Sequence, residues 1–258
     1  MSRPITTLTV LRTEQLTPHL VRVYLGDPGF DEFVPNGHTD AYVKLMFGTD
    51  EEPVVRTYTV RSVDDEKREI AIDFVVHGDE GIAGRWAASA QPGETVRLRG
   101  PGGAYAPRPD ADWYLLAGDE SAVPAISSAV EALPAGAVAQ VFLEVAGPED
   151  EVELSSAANL DVTWIHRGGG ANEVGDDRAG DNAPIVAAVR AAQWLPGQPH
   201  VFIHGEAHAV MHGLRAYVRK ERGVTAEWAS ISGYWRRGRT EEGFRVWKSD
   251  LAASESVG

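Results

Sequence analysis

Through its first hundred residues the chain alternates apolar and polar positions in short runs: Leu20 to Leu25, Ala41 to Phe47, Val55 to Ser62, Ile70 to His77 and Glu94 to Arg99. A period of two predicts strands with one buried face. Gly26-Asp27-Pro28-Gly29, Pro35-Asn36-Gly37 and the Gly48 to Pro53 stretch break these runs at the intervals of an antiparallel barrel or sandwich. A single helix is predicted in this half, Ile82 to Ala90, stopped by Pro92-Gly93. After Gly100-Pro101-Gly102-Gly103 and the Pro107 to Pro109 linker the period changes. Buried apolar runs at Trp113 to Ala117, Val138 to Val145, Val162 to Ile165, His200 to Ile203 and Trp228 to Ser232 now alternate with helical patterns at Ala122 to Leu133, Pro184 to Leu195 and Glu206 to Arg222. That alternation predicts a parallel α/β sheet. A boundary is therefore expected near residue 107, with an all-β half before it and a nucleotide-fold half after it.

Composition narrows the classes of function. The 258 residues are 43% hydrophobic and 24% charged, enough to bury a core in each half. A formal net charge of −14 repels phosphate backbones and anionic lipid, so nucleic acid is an unfavourable partner. No apolar run reaches the roughly 18–20 residues of a membrane span, and the start MSRPITTLTV lacks a signal-peptide pattern; a cytoplasmic protein without membrane insertion is expected. With no cysteine there is no thiolate nucleophile, disulfide or cysteine-held iron–sulfur cluster, and any redox chemistry needs a bound cofactor. Half of the negative charge, a net −7, lies between Gly147 and Ala183, and within it His166 to Ala183 reads as a mobile loop, a lid or a solvated insertion.

Two stretches carry candidate chemistry. In Arg56-Thr57-Tyr58-Thr59-Val60-Arg61, strand alternation puts Arg56, Tyr58 and Val60 on one face and Thr57, Thr59 and Arg61 on the other. An aromatic ring beside an arginine fork and two hydroxyls suits a flat, anionic ligand such as a flavin nucleotide, although Tyr and Thr are also ordinary strand residues. Next, Asp73-Phe74-Val75-Val76-His77-Gly78 feeds Gly81-Ile82-Ala83-Gly84-Arg85-Trp86, a strand running into a glycine-led helix start whose amides can cradle phosphate. The histidines His204, His208 and His212 are spaced four apart, but the strand-to-helix turn expected at Gly205-Glu206 separates the first from the other two, so no metal site is expected.

Taken together, Arg-Thr-Tyr-Thr-Val-Arg (56–61), Asp-Phe-Val-Val-His-Gly (73–78), Gly-Ile-Ala-Gly-Arg-Trp-Ala (81–87), Ala-Gly-Asp-Glu-Ser-Ala-Val-Pro-Ala (117–125) and Ser-Gly-Tyr-Trp-Arg-Arg-Gly (232–238) resemble the siderophore-interacting protein family, FAD-dependent ferric-siderophore reductases of the ferredoxin-reductase superfamily. The resemblance runs from about Thr6 to Glu242. It implies a six-stranded antiparallel flavin-binding β-barrel over residues 1–107, then an NAD(P)H-binding-type α/β domain with a parallel sheet and a basic C-terminal segment over residues 108–258. Carried over by position, it implies that Tyr58 lies against the isoalloxazine, Arg56 meets the pyrophosphate, and Thr57 and Thr59 bond the flavin ring or ribityl chain. It further implies that Asp73 and His77 flank the cofactor, that Gly81, Ile82 and Ala83 offer amides to its phosphates, and that Trp86 is either a cofactor contact or a core anchor. Asp119 and Ser121 would approach the adenine side of the flavin or the nicotinamide donor; Ser121 stands where the family commonly has Thr, and His204 where alanine is usual.

The implied reaction takes electrons from NADPH or NADH, or from ferredoxin, through FAD to siderophore-bound Fe(III), releasing Fe(II) for iron supply; no side chain need act as nucleophile. A chain at −14 needs a local basic mouth for an anionic ferric siderophore. Residues 234–248 carry a net +3, and Lys44 matches a family position linked to siderophore contact, so Lys44, Arg236, Arg237 and Arg239 are the expected mouth. A monomer is expected. The competing readings are a general flavin-dependent reductase with another acceptor, and a non-enzymatic siderophore-binding protein.

Overall fold

The computed structural model describes residues 5–49, 51–76, 81–239, 243, 244 and 247. His77, the acidic pair Glu241 and Glu242, the basic Arg245 and Lys248, and the tail from Ala252 to Gly258 lie outside the described residues.

Six antiparallel strands close into a barrel in the order β1-β2-β5-β4-β3-β6: β1 (Ile5–Thr17), β2 (Leu20–Pro28), β3 (Tyr42–Gly48), β4 (Pro53–Asp64), β5 (Glu69–Val75) and β6 (Thr95–Gly102). The alternating runs identified five of these strands. The thirteen-residue β1 was missed because its central part, Leu11 to Gln15, is exposed and carries no clean two-residue alternation. Inside the barrel, Leu8, Val23, Leu25, Val43, Leu45, Ile70, Ile72, Phe74 and Leu98 are fully buried, and helix α1 (Ile82–Ser89) packs Ala83 and Ala87 into the same core.

The second half is a five-stranded parallel sheet in the order β11-β10-β7-β8-β9, built from β7 (Trp113–Asp119), β8 (Val138–Val145), β9 (Asn159–His166), β10 (Pro199–Glu206) and β11 (Ala229–Trp235). Helices α2 (Val123–Glu131) and α3 (Pro184–Ala191) are shorter at their C-terminal ends than the periodicity predicts. The expected helix Glu206 to Arg222 instead winds in wider, π-type turns over His208–Leu214 and Tyr217–Glu221, with Arg222 N–H donating to the Tyr217 carbonyl five residues back. A six-stranded antiparallel barrel followed by a parallel sheet is the architecture expected from the sequence. Among the described residues no helix is long and apolar enough to cross a membrane.

The two halves meet along β4 and the β1–β2 turn. Arg61 pairs with Glu131 of α2, and Ser128 donates to the Arg61 carbonyl at 2.9 Å. From the turn, Thr17 Oγ1 and the His19 ring bond Asp150 at 3.0 Å and 2.8 Å; Asp150 is buried. The phenol of Tyr234 on β11 hydrogen-bonds Thr59, and burial raises its pKa. The strand carrying the Arg-Thr-Tyr-Thr motif is thus also the strand against which the α/β half rests.

Candidate functional site

Strand β4 pairs with β3 so that Arg56 faces Leu45, Thr57 faces Lys44, Tyr58 faces Val43 and Thr59 faces Tyr42. Directly paired residues project to the same side of a sheet. Since Val43 and Leu45 are core residues, Arg56 and Tyr58 share the inner side, while Thr57 and Lys44 are exposed on the outer side. Thr59 also belongs to the outer side but is buried, because the α/β half covers it there. The sequence-predicted cofactor group is therefore divided between the two faces of one strand.

On the inner side, Tyr58 joins a run of rings. Its ring centroid lies 4.4 Å from that of Phe74, which lies 5.5 Å from Trp86, which lies 5.5 Å from Phe47. Trp86 thereby anchors α1 to the barrel core, and Tyr58, half-buried, ends the run. Asp73 is buried with its carboxylate held by both arms of Arg22, at 2.6 Å and 2.8 Å, across the β2–β5 pair. Hydrogen bonding to Asp73 raises the Arg22 pKa. Arg22 was invisible as a site residue in the sequence because its partner is 51 positions away.

Gly81 opens α1 with φ of +80°, and among the described residues a Cβ built there would meet nothing within 4 Å. Among the described residues no side chain caps this end, no acidic residue lies in its first turn, and Arg85 folds back to bond the Gly81 carbonyl at 3.3 Å. Leading amides, an adjacent guanidinium and open space form a turn that fits a pyrophosphate. The residues present fit FAD: an aromatic ring and an arginine on one side of β4, and a glycine-led start to α1, the helix whose Trp86 packs through Phe74 against that ring.

Asp119 and Ser121 lie elsewhere, at the carboxyl edge of the parallel sheet. Asp119 accepts bonds from the Ser121 amide and hydroxyl, from the Glu206 amide at 2.6 Å and from the Trp235 indole at 2.8 Å. Beside it opens a narrow cleft of about 30 Å³ lined by Gly118, Asp119, Glu144, Arg167, Arg178, Gly205, Glu206, Trp235 and Arg237 among others. Such an edge is where open α/β sheets bind ligands. Arg167, only 3% exposed, is clasped by Glu120 and Glu144, the latter at 2.9 Å. Burial pushes the Glu120 carboxyl up to about 7 and raises that of Glu144 as well. This network escaped the sequence reading, which counted Arg167 only as a loop charge; Glu120 inside the Gly-Asp-Glu-Ser turn was the available signal.

The expected basic mouth is dispersed. Lys44 stands on the barrel's outer face, opposite exposed Arg99 of β6. Arg236 bonds Glu206 at 2.9 Å and the His208 ring at 3.2 Å. Arg237 bonds Asp176 at 3.1 Å and the Val174 carbonyl, which fastens the acidic segment; Arg239 is exposed. That segment, expected as a loop, folds into short turns at Asp176–Arg178 and Gly180–Asn182. The His208 and His212 rings are 4.8 Å apart, yet among the described residues no group of three or more His, Asp or Glu is placed to hold a metal ion.

A closed antiparallel barrel, a glycine-led helix start and a following five-stranded parallel sheet define the ferredoxin-reductase-like class of fold. A ferredoxin NADP+ reductase from Neisseria gonorrhoeae, solved with FAD and NADP bound, shares that fold at a TM-score of 0.64 and 14% identity over 90% of this chain and 99% of its own. The chain belongs to the siderophore-interacting protein family: the siderophore-interacting FAD-binding domain matches residues 9–52 and 47–105, and the siderophore-interacting protein model matches residues 111–238. It is 34% identical to the ferric vibriobactin reductase ViuB of Vibrio cholerae, covering 92% of this chain and 91% of that protein. An uncharacterized protein of Mycobacterium tuberculosis is 56% identical over 98% of both chains. A siderophore utilization protein from T. fusca superposes at a TM-score of 0.79 with 34% identity over 93% of this chain and 96% of its own.

Proposed function

We propose that this protein is an FAD-dependent reductase of ferric siderophores, fed by a reduced nicotinamide nucleotide. One observation carries the reading: β4 sets Arg56 and Tyr58 on one side, with Tyr58 half-buried at the end of the ring run that passes through Phe74 to Trp86 of α1, within the span matched by the siderophore-interacting FAD-binding domain. The 34% identity to a ferric vibriobactin reductase supports the acceptor, since it extends across both halves.

When bound, FAD supplies the ability to accept a two-electron hydride and deliver electrons singly, as ferric iron requires. The chain's own residues bind, orient and exclude water. Arg56, with the Gly81, Ile82 and Ala83 amides, would hold the pyrophosphate, and Tyr58 would lie against the ring system. The side chains of Thr57 and Thr59 lie on the other side of β4, where Thr59 bonds Tyr234, so these two residues would meet the flavin's polar edge through main-chain groups rather than hydroxyls. Asp73 acts from behind by locking β2 to β5 through Arg22, and Trp86 keeps α1 seated on the barrel.

Lys44 and Arg99 on the barrel, with Arg236 and Arg239 from the segment after β11, provide positive charge for an anionic chelate in a chain of net charge −14. Anionic oxygen ligands are hard and grip Fe(III) more tightly than Fe(II), so reduction loosens the iron. One hydride donor carries two electrons, enough for two ferric centres. The test is anaerobic: FAD-loaded protein is mixed with NADH or NADPH, a ferric siderophore and an iron(II) trap. Trapped iron(II) that requires both FAD and the siderophore complex supports the reductase. Bound flavin without iron release from protein pre-reduced with dithionite refutes the acceptor, and failure to take up FAD refutes the reading altogether.

A further inference from the structure

Strand β4 changes partners within its motif. Pro53 to Thr59 run in register with β3, ending with Thr59 opposite Tyr42, and the register with β5 begins at Val60, where an irregularity follows before Ser62. Such an irregularity interrupts the ladder and lets the strand bend. At this point the α/β half takes hold of β4 from its outer side. The Thr59 side chain is bonded by the Tyr234 phenol of β11. Two residues on, Arg61 pairs with Glu131, and its carbonyl accepts the Ser128 hydroxyl of α2 at 2.9 Å.

Tyr234 is itself held in place by rings. Its ring meets that of His204 edge-on at 4.8 Å, and the His204 ring lies flat on Phe202 at 4.0 Å. His204 Nε2 bonds the Ser230 hydroxyl at 2.9 Å, and Phe202 is fully buried in the α/β core. The phenol thus projects toward the barrel from a fixed base. Burial raises the Tyr234 pKa, and the nearby Asp40 and Asp119 carboxylates raise it further, so the phenol keeps its proton and remains a donor. Thr59 is buried, and bulk water does not replace this partner when it is lost.

We propose that Tyr234 is a positioning residue for the flavin: by holding the Thr59 side chain from the α/β half, it sets the β4 main chain at Tyr58 and Thr59 without itself touching the cofactor. This rests on the reading that FAD binds along β4. Thr59 then has two tasks on two sides, its main chain toward the flavin and its hydroxyl toward Tyr234. The bond couples FAD binding in the barrel to a side chain outside the segments 9–52 and 47–105 that match the FAD-binding domain.

The test uses the full chain. FAD affinity is measured by equilibrium dialysis for the wild type, Tyr234→Phe, Thr59→Val, the two combined, and Thr59→Ser. The reduction potential of the bound flavin and the urea midpoint of each protein are recorded alongside. Tyr234→Phe and Thr59→Val are each expected to weaken FAD binding about three- to tenfold and to displace the potential in the same direction. Both remove one bond, so the double variant should lose no more than either single one, and Thr59→Ser, which keeps the hydroxyl, should bind as the wild type does. His19→Ala, which releases Asp150 at the other contact between the halves, should lower the urea midpoint and leave the flavin potential in place. Additive losses overturn the inference, as does a Tyr234→Phe protein that loses only stability and keeps wild-type FAD affinity and potential. A potential displaced as far by His19→Ala also overturns it, tracing the effect to loosened halves in general. Wild-type protein that takes up no FAD overturns the flavin reading itself, and the inference falls with it.

Discussion

The indole N–H of Trp235, at the end of the last strand of the sheet, donates to Oδ2 of Asp119, at the end of the sheet's first strand, spanning β10 at 2.8 Å. The same carboxylate receives the Glu206 amide and both polar groups of Ser121. Two of the five motifs, Gly-Asp-Glu-Ser and Ser-Gly-Tyr-Trp, are thus halves of one hydrogen-bonded knot. Asp119→Ala strands several donors at once and is expected to destabilise the protein by about 2–4 kcal/mol, read from the urea midpoint at unchanged slope.

On the proposed placement, in which the ring of Tyr58 rather than its hydroxyl would cover the flavin, Tyr58→Ala is expected to weaken FAD binding about tenfold while Tyr58→Phe keeps most of it. Equilibrium dialysis of FAD against the two variants checks this, and equal losses would contradict it.

Asp73→Asn removes the charge that Arg22 holds with both arms, and a cost of about 2–3 kcal/mol in folding stability is expected. Its FAD affinity should fall less than that of Tyr58→Ala. A larger fall in affinity than in stability would return Asp73 to the cofactor itself.

His200 is buried, and its Nδ1 accepts the Arg108 amide at 3.2 Å, which requires the neutral ring. Burial and nearby Arg108 lower its pKa from 6.5 to about 4. Below pH 6.5 the unfolded chain therefore binds the proton more readily than the folded one. Stability contributed by this residue is complete above pH 6.5 and falls away down to about pH 4, by up to about 3 kcal/mol. Melting curves across that window should be steeper in pH for the wild type than for His200→Phe.

Lys44 and Arg99 are register partners on the barrel's outer face. The double variant Lys44→Ala with Arg99→Ala is expected to raise KM for an anionic ferric chelate several-fold, with little change for a neutral one, and to flatten the salt dependence of kcat/KM. Identical effects on both chelates would remove these residues from the substrate face.

Legibility followed the range of the interactions. Strands with one covered face, such as Tyr42–Gly48, and the α1 start at Gly81 were readable because alternation and glycine act over a few residues. The exposed middle of β1 carried no such signal, and the π-type winding after His208 reflects tertiary packing that a helical period does not encode. Of the expected mouth, Lys44, taken from its family position, lies on the barrel opposite Arg99, while Arg236 and Arg237, taken from local charge, lie on the α/β half with Glu206 and Asp176 as partners, and no local signal gives those partners.

By itself the sequence determined the order of two architectures, the absence of thiol chemistry, the glycine-led turn and the Arg-Thr-Tyr-Thr strand, since each depends on local backbone preference or on composition. Tertiary structure alone decided that Asp73 belongs to Arg22, that Trp86 anchors α1 through Phe47 and Phe74, and that Arg167 is closed between Glu120 and Glu144. Those are partnerships between charges and rings far apart in the chain. A buried ion takes whichever counter-ion the folded backbone brings within hydrogen-bond distance, and burial sets the cost of changing it.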